Sequence, residues 1–287
     1  MRFERYCEPT SIDECSKLLM TYGEDAQIIA GGTDLVPKLK ARDLRVKTII
    51  ALNAIPEAKG IKETKDGVEI GALTTLREIS KSEIINKNWK AVAEAAAYVS
   101  SMQVRNVATI GGNVCNASPG ADALQGLIVA DAKVNIAGPK GRRQVAIIEF
   151  FVAPGETVLE EGELVVSFTI PNPKEGTGAS YKKFALRGNV DITIVGAGSS
   201  LRLDKDGKVN DVIISLASVA PTPIRLPEVE KFIEGKELTE DLILQAAEMA
   251  ANSCNPITDH RATKEYRTEM VKVWTKNTLV ESLERAK

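Results

Sequence analysis

Two loops of paired glycines are the residues of this chain whose types and spacing point most directly to chemistry. The first is Ala30-Gly31-Gly32-Thr33-Asp34-Leu35, entered from Ile29, and the second is Thr109-Ile110-Gly111-Gly112-Asn113. Each follows an apolar or β-branched run and ends in small polar residues, the composition needed where backbone N–H groups wrap an anion closely. Two such loops imply one pyrophosphate held from both sides. A mononucleotide needs one phosphate cradle, whereas a dinucleotide such as FAD has a central diphosphate on which two loops can converge.

Other catalytic constellations are scarce. His260 is the single histidine and sits between Asp259 and Arg261, which reads as a surface or capping position. No Ser-His-Asp or Cys-His pair with a second histidine can be built, and metal sites that rely on several imidazoles are excluded. The cysteines Cys7, Cys15, Cys115 and Cys254 are scattered, without a CxxC pair, so neither zinc nor an iron-sulfur cluster is expected on this chain. Gly196-Ala197-Gly198-Ser199-Ser200 begins like a GxGxxG fingerprint, but the third glycine is missing and Leu201-Arg202-Leu203 alternates like a strand where a helix should start. The better reading is two adjacent strands with small residues where a neighbouring backbone comes close. No residue of this chain is read as catalytic, and none as a metal ligand. The chemistry must come from a cofactor.

Composition fits a soluble cytoplasmic protein. The 287 residues are 44% hydrophobic and 26% charged, with a formal net charge of -2 and interspersed signs. That length supports two domains or more. The absence of a basic stripe argues against nucleic acid and anionic membranes as partners. No apolar run approaches the roughly 18 residues of a membrane span, and the N-terminus is charged at Arg2, Glu4 and Arg5, unlike a signal peptide.

The elements that must position the loops alternate. Ser11 and Glu14 form a capping box ahead of an apolar stripe ending at Gly23, and Gln27 to Ala30 reads as a short strand entering the first loop. Asp34 is placed to cap a short helix that tolerates Pro37 in its first turn. Strands are expected over 47–52 and 68–73, with helices from Thr75, from Trp89 to Met102, and over 121–131. Further strands fall at 133–137, 143–148 and 164–170, before the breaker-rich 171–178. Beyond it, 181–186, 191–197, 199–204 and 209–217 suggest an antiparallel sheet, with Asp204-Lys205-Asp206-Gly207 as a hairpin turn. Helices from Leu226, Thr239 and Thr263 would cover one face. The expected division is 1–176, in two parts of roughly 1–52 and 53–176, followed by 177–287.

With its continuation through Asn113-Val114-Cys115-Asn116-Ala117-Ser118-Pro119-Gly120-Ala121-Asp122, the second loop resembles the FAD-binding subunit of the molybdenum hydroxylases, the xanthine dehydrogenase and carbon monoxide dehydrogenase group. The first glycine loop, Arg187 to Ile192 and Asp259 to Arg267 follow in the family's order. The resemblance implies an α+β architecture: a two-domain FAD-binding fold of the vanillyl-alcohol-oxidase type, then a small α+β domain with an antiparallel sheet covered by helices. It makes Asp122 a cofactor contact as well as a candidate helix cap, matches Lys183 to a lysine that contacts the flavin, and matches Val165 to an apolar position packed on it. Asp259, Arg261, Tyr266 and Arg267 read as ion pairing or helix capping. The cysteine-rich insertion of the hydroxybenzoyl-CoA reductases is lacking.

The implied function is electron transfer. Hydroxylation would occur at a molybdopterin centre on a large partner subunit, and electrons would pass through 2Fe-2S clusters on a small one. FAD on this chain would then hand them to NAD(P)+ or another acceptor. Noncovalent FAD is expected, since the first loop offers Thr33 where relatives with attached flavin have histidine, and Cys115 alone lies near the second. Two alternatives stay open: a self-sufficient flavin oxidoreductase of the same fold, and an FAD-binding module without redox partners. The hydroxylated substrate cannot be named from this chain.

Overall fold

The computed structural model describes residues 3–188 and 190–287. Arg2 of the charged N-terminus, and Asn189 inside the Arg187 to Ile192 stretch, lie outside the described residues.

Strands Arg5–Cys7, Thr48–Ala51 and Ala26–Ile29 pair in parallel, with Thr48–Ala51 in the centre. The helix Ile12–Tyr22 connects the first of them to the third, starting where the Ser11 hydroxyl accepts the Glu14 N–H at 3.2 Å and stopping at Gly23 with φ 48°. The reciprocal half of the expected capping box falls one residue early: Glu14 accepts the N–H of Thr10, at 2.8 Å, instead of that of Ser11. Ile12, Cys15, Ile50 and Leu52 pack with Leu164 and Val166 from much later in the chain. The small sheet therefore shares its core with the next layer.

That layer is an antiparallel sheet in the order Ile61–Thr64, Gly67–Gly71, Leu164–Pro171, Lys133–Gly138, Gly141–Ala146. Val68, Ile70, Val134, Ile136, Phe168 and Ile170 share one core with helices Leu76–Lys81, Lys90–Tyr98 and Asp122–Val129, as the period-two alternation of strands requires. The helix expected from Trp89 to Met102 ends at Tyr98. Ser100 adopts φ 46°, Ser101 caps a new turn at Met102–Arg105, and the Arg105 guanidinium holds the break by donating to the carbonyls of Val99 and Ser100.

The C-terminal sheet runs Thr177–Phe184, Val195–Leu203, Val209–Ala217, Ile224–Arg225, all antiparallel. Helices Pro227–Ile233, Glu240–Asn252 and Lys264–Ala286 pack on it. The architecture is α+β, as expected. Val195–Leu203 is one continuous strand where two were expected, and 191–194 precede it as a loop. Its glycines serve packing: a Cβ on Gly196 would lie 2.7 Å from the Tyr181 hydroxyl, and one on Gly198 would lie 2.8 Å from Val129 Cγ1. The Asp204 to Gly207 turn forms as read, with the Asp204 carboxylate accepting the N–H groups of Asp206 and Lys208 at 2.9 Å each.

The last helix ties the C-terminal layer to the rest. Arg285 donates to both Glu94 oxygens, at 2.6 and 2.9 Å, and Ala179 and Ile213 join the core of the preceding sheet. Arg267 is buried and donates to Asp259 at 2.9 Å and to the Ile194 carbonyl at 2.6 Å, so the Asp259 to Arg267 motif is an ion-paired brace. Among the described residues no helix is long and apolar enough to cross a membrane.

Candidate cofactor site

The edges of the first two sheets leave a cleft of about 620 Å³ against the C-terminal sheet. Ile29, Ala30, Gly31, Gly32, Thr33, Asp34 and Leu35 line it from one side, and Thr109, Gly111, Gly112 and Asn113 from another, with Asp122, Val165 and Lys183 in the remaining wall. Ile110 is placed elsewhere: its side chain is fully buried in the core and its N–H donates to the Thr74 carbonyl at 3.0 Å.

The first loop is open for hydrogen bonding. Among the described residues, the N–H groups of Gly31, Gly32, Thr33, Asp34 and Leu35 donate to no protein acceptor; the next in line, Val36, donates to the Gly32 carbonyl at 2.9 Å. Gly31 is required by a close approach, because a Cβ there would sit 2.0 Å from the Val107 carbonyl oxygen. Gly32 has φ 70°, a left-handed conformation that side chains resist. Asp34 is the N-cap residue of the helix Leu35–Ala41, but its carboxylate makes no capping bond. It accepts instead from Asn116 Nδ2 at 3.4 Å.

The second loop differs from the expectation drawn from its composition. Its amides are spent inside the protein: Gly111 donates to the Ala72 carbonyl at 2.8 Å, Gly112 to Thr109 Oγ1 at 3.1 Å, and Asn113 to the Thr109 carbonyl at 3.0 Å. Thr109 thereby caps the short helix Ile110–Cys115. Gly111 packs on a neighbouring backbone, since a Cβ would meet the Ala72 carbonyl oxygen at 2.7 Å. At Gly112 the nearest atom to a Cβ is Thr109 Oγ1 at 3.0 Å and nothing else lies within 4 Å. This loop contributes a bare wall, and the first contributes the donors.

Asp122 is the hub of the third wall. One carboxylate oxygen accepts from the Tyr181 hydroxyl and from Thr193 Oγ1, both at 2.6 Å, and the other from Lys183 Nζ at 2.8 Å. It therefore does not cap the helix Asp122–Val129, whose N-cap position is Ala121. Burial, reinforced by the Asp122 carboxylate, pushes the Tyr181 phenol well above its ordinary range, so Tyr181 stays a donor. Lys183 also reaches the Tyr98 carbonyl at 3.4 Å. Val165 is buried and shows one edge to the cleft.

Several further residues line the cleft. Ser100 arrives through the helix break, and Lys38 and Asn116 meet across the cleft at 3.3 Å although 78 positions apart. Val190 and Ile192 are exposed at its rim. Asn116, Val190 and Ile192 fall inside the stretches 113–122 and 187–192 already singled out by their resemblance, whereas nothing in the local pattern marks Ser100 or Lys38. Cys115 lines the cleft too, with burial pushing its thiol up to about 12. His260 is exposed and forms no part of the lining.

An open row of amides, a glycine wall without side chains and an apolar Val165 suit an elongated ligand with both phosphate and ring portions. They fit FAD. Residues 1–173 match the FAD binding domain in molybdopterin dehydrogenase, and residues 179–282 match the CO dehydrogenase flavoprotein C-terminal domain. The carbon monoxide dehydrogenase medium chain of Hydrogenophaga pseudoflava is 36% identical over 270 residues, covering 94% of this chain and 93% of that one. The xanthine dehydrogenase FAD-binding subunit of Escherichia coli O157:H7 is 32% identical over 270 residues, covering 93% and 92%. A solved carbon monoxide dehydrogenase from Hydrogenophaga pseudoflava superposes with a TM-score of 0.95 at 35% identity, over 99% of this chain and 98% of that one. Quinoline 2-oxidoreductase from Pseudomonas putida 86 superposes with a TM-score of 0.92 at 26% identity, over 100% and 99%. This chain belongs to the FAD-binding medium subunits of the molybdenum hydroxylases, subunits of oxidoreductase complexes of the xanthine dehydrogenase and carbon monoxide dehydrogenase type.

Proposed function

We propose that the chain holds FAD noncovalently in this cleft and conveys electrons from 2Fe-2S clusters on a small partner subunit to NAD(P)+ or another acceptor. Hydroxylation belongs to a large molybdopterin-binding partner. The observation that carries the reading is that the N–H groups from Gly31 to Leu35, which donate to no protein acceptor among the described residues, belong to residues lining the same cleft as Gly112, where a side chain is missing. Such donors suit a diphosphate, which accepts several hydrogen bonds at once. When bound, FAD supplies the capacity to take electrons singly and release them as hydride.

The protein's own part is to bind, orient and exclude water. Lys183, held by Asp122, presents a buried cation to the cleft, and Val165 presents an apolar surface for a ring. A thiol pushed up to about 12 leaves Cys115 protonated, which supports noncovalent attachment. Relatives named for xanthine, carbon monoxide, glyceraldehyde and nicotine chemistry share this chain's length and pattern. That range supports a substrate pocket on another subunit. We also place the division of the chain at 176, between the strands Leu164–Pro171 and Thr177–Phe184. Four free thiols suit a cytoplasmic, reducing setting.

The test is flavin loading. The full chain, stripped and titrated with FAD, should take up the cofactor to stoichiometry, and acid precipitation should release the yellow colour into the supernatant. Colour left in the pellet would point to attachment through Cys115. No uptake would remove the cofactor site altogether.

A further inference from the structure

We propose that Lys38 is the counter-charge of the FAD diphosphate and that Asn116 keeps it available for that role. The inference rests on the FAD reading above and adds a binding residue to it. Asp34 and Lys38 stand four positions apart at the start of the helix Leu35–Ala41, the spacing and order at which a carboxylate and an ammonium pair most readily on a helix. They do not pair here. Asn116, from the opposite wall, takes both: its Oδ1 accepts from Lys38 Nζ at 3.3 Å and its Nδ2 donates to Asp34 Oδ1 at 3.4 Å.

The consequence is electrostatic. An amide cannot neutralise an ammonium, and among the described residues no carboxylate pairs directly with Lys38, so its ammonium is left able to take an anion while Asn116 holds the Asp34 carboxylate one amide away. Lys38, Asn116 and Asp34 all line the same space as the open amides of Gly31 to Leu35. Hydrogen-bond donors alone recognise a diphosphate, but they leave its two negative charges uncompensated. A cation between the two loops supplies that compensation. The bridge also joins walls 78 positions apart in sequence.

Equilibrium binding to the full chain stripped of flavin decides the matter. Lys38→Gln should weaken FAD about tenfold at low salt, since a dianion a few ångströms from one exposed cation is worth that much even in a watery dielectric. It should also flatten the salt dependence that wild type shows. Lys38→Arg should restore both. Asn116→Ala, which frees Lys38 to pair with Asp34, should weaken FAD in the same direction. Riboflavin has the ring without phosphate and should bind wild type and Lys38→Gln equally. Unchanged FAD affinity in Lys38→Gln overturns the proposal, and so does a matching loss of riboflavin, which would mark a structural role. Failure of the cofactor reading itself looks different, because wild type would then bind no FAD at any salt.

Discussion

Lys183 Nζ lies 2.8 Å from Asp122 Oδ2, and the two side chains are 3% and 7% exposed. They come from different layers, the strand Thr177–Phe184 and the first turn of the helix Asp122–Val129. The contact therefore fixes the C-terminal sheet against the cleft. Charges so deeply buried are tolerable only while every partner is present.

Removing one partner should be costly. Asp122→Ala removes the buried carboxylate from beside Lys183 and deprives Tyr181 and Thr193 of their acceptor, so a loss of about 3 kcal/mol or more is expected. Urea unfolding measures it. The double variant with Lys183→Met should be less damaged than the sum of its parts, and strict additivity would show that the pair is not coupled.

Adjacent glycines should behave differently. Gly111→Val forces a side chain onto the Ala72 backbone and should cost about 1–3 kcal/mol or more in stability, from overpacking. Gly112→Val, whose side chain enters the cleft, should leave a folded chain that binds FAD poorly. Melting curves and flavin titration of both variants separate the roles; stoichiometric FAD in Gly112→Val would contradict the glycine wall.

The glycine pairs were legible in sequence because close backbone approaches exclude every side chain, but the partner of each approach was not. Gly111 is needed by Ala72 and Gly31 by Val107, and neither neighbour is visible in a local pattern. For the same reason the second loop reads like an anion cradle although Thr74, Ala72 and Thr109 consume its amides. Caps and turns at Thr75, Thr239, Thr263 and Asp204 were readable because their hydrogen bonds close within four residues. Gly196 and Gly198 mimicked a strand break because their cause, the Tyr181 ring and Val129, lies in other elements. The Lys38–Asn116 contact had no local signature at all.

Alkali should weaken the fold through buried thiols. Burial lifts both Cys15 and Cys115 from 9.0 to about 12, with Glu14 adding to the effect at Cys15. The folded chain thus keeps protons that the unfolded chain releases, so this contribution is intact below pH 9 and is lost as pH rises towards 12. Unfolding midpoints should fall above pH 9, and the slope should be shallower in Cys15→Ala and Cys115→Ala. Identical slopes in all three proteins would contradict the assignment.

Arg285 should hold the layers together. Its two bonds to Glu94 join the last helix to Lys90–Tyr98, with side chains 20% and 25% exposed. Arg285→Met should cost about 2 kcal/mol, less than a fully buried pair because solvent screens part of the contact. Calorimetry should show a lowered midpoint; an unchanged one would make the contact incidental.

The most direct test of the proposed role is electron entry from a partner. The FAD-loaded chain is mixed under anaerobic conditions with the reduced 2Fe-2S subunit, and the visible flavin absorbance is followed. Bleaching on mixing, then recovery when NAD(P)+ or another acceptor is added, is the expected result, with no oxidation of heterocycles, aldehydes or carbon monoxide by the chain alone. A flavin that stays oxidised beside its reduced partner, or substrate turnover by this polypeptide without any other chain, would contradict the electron-transfer role.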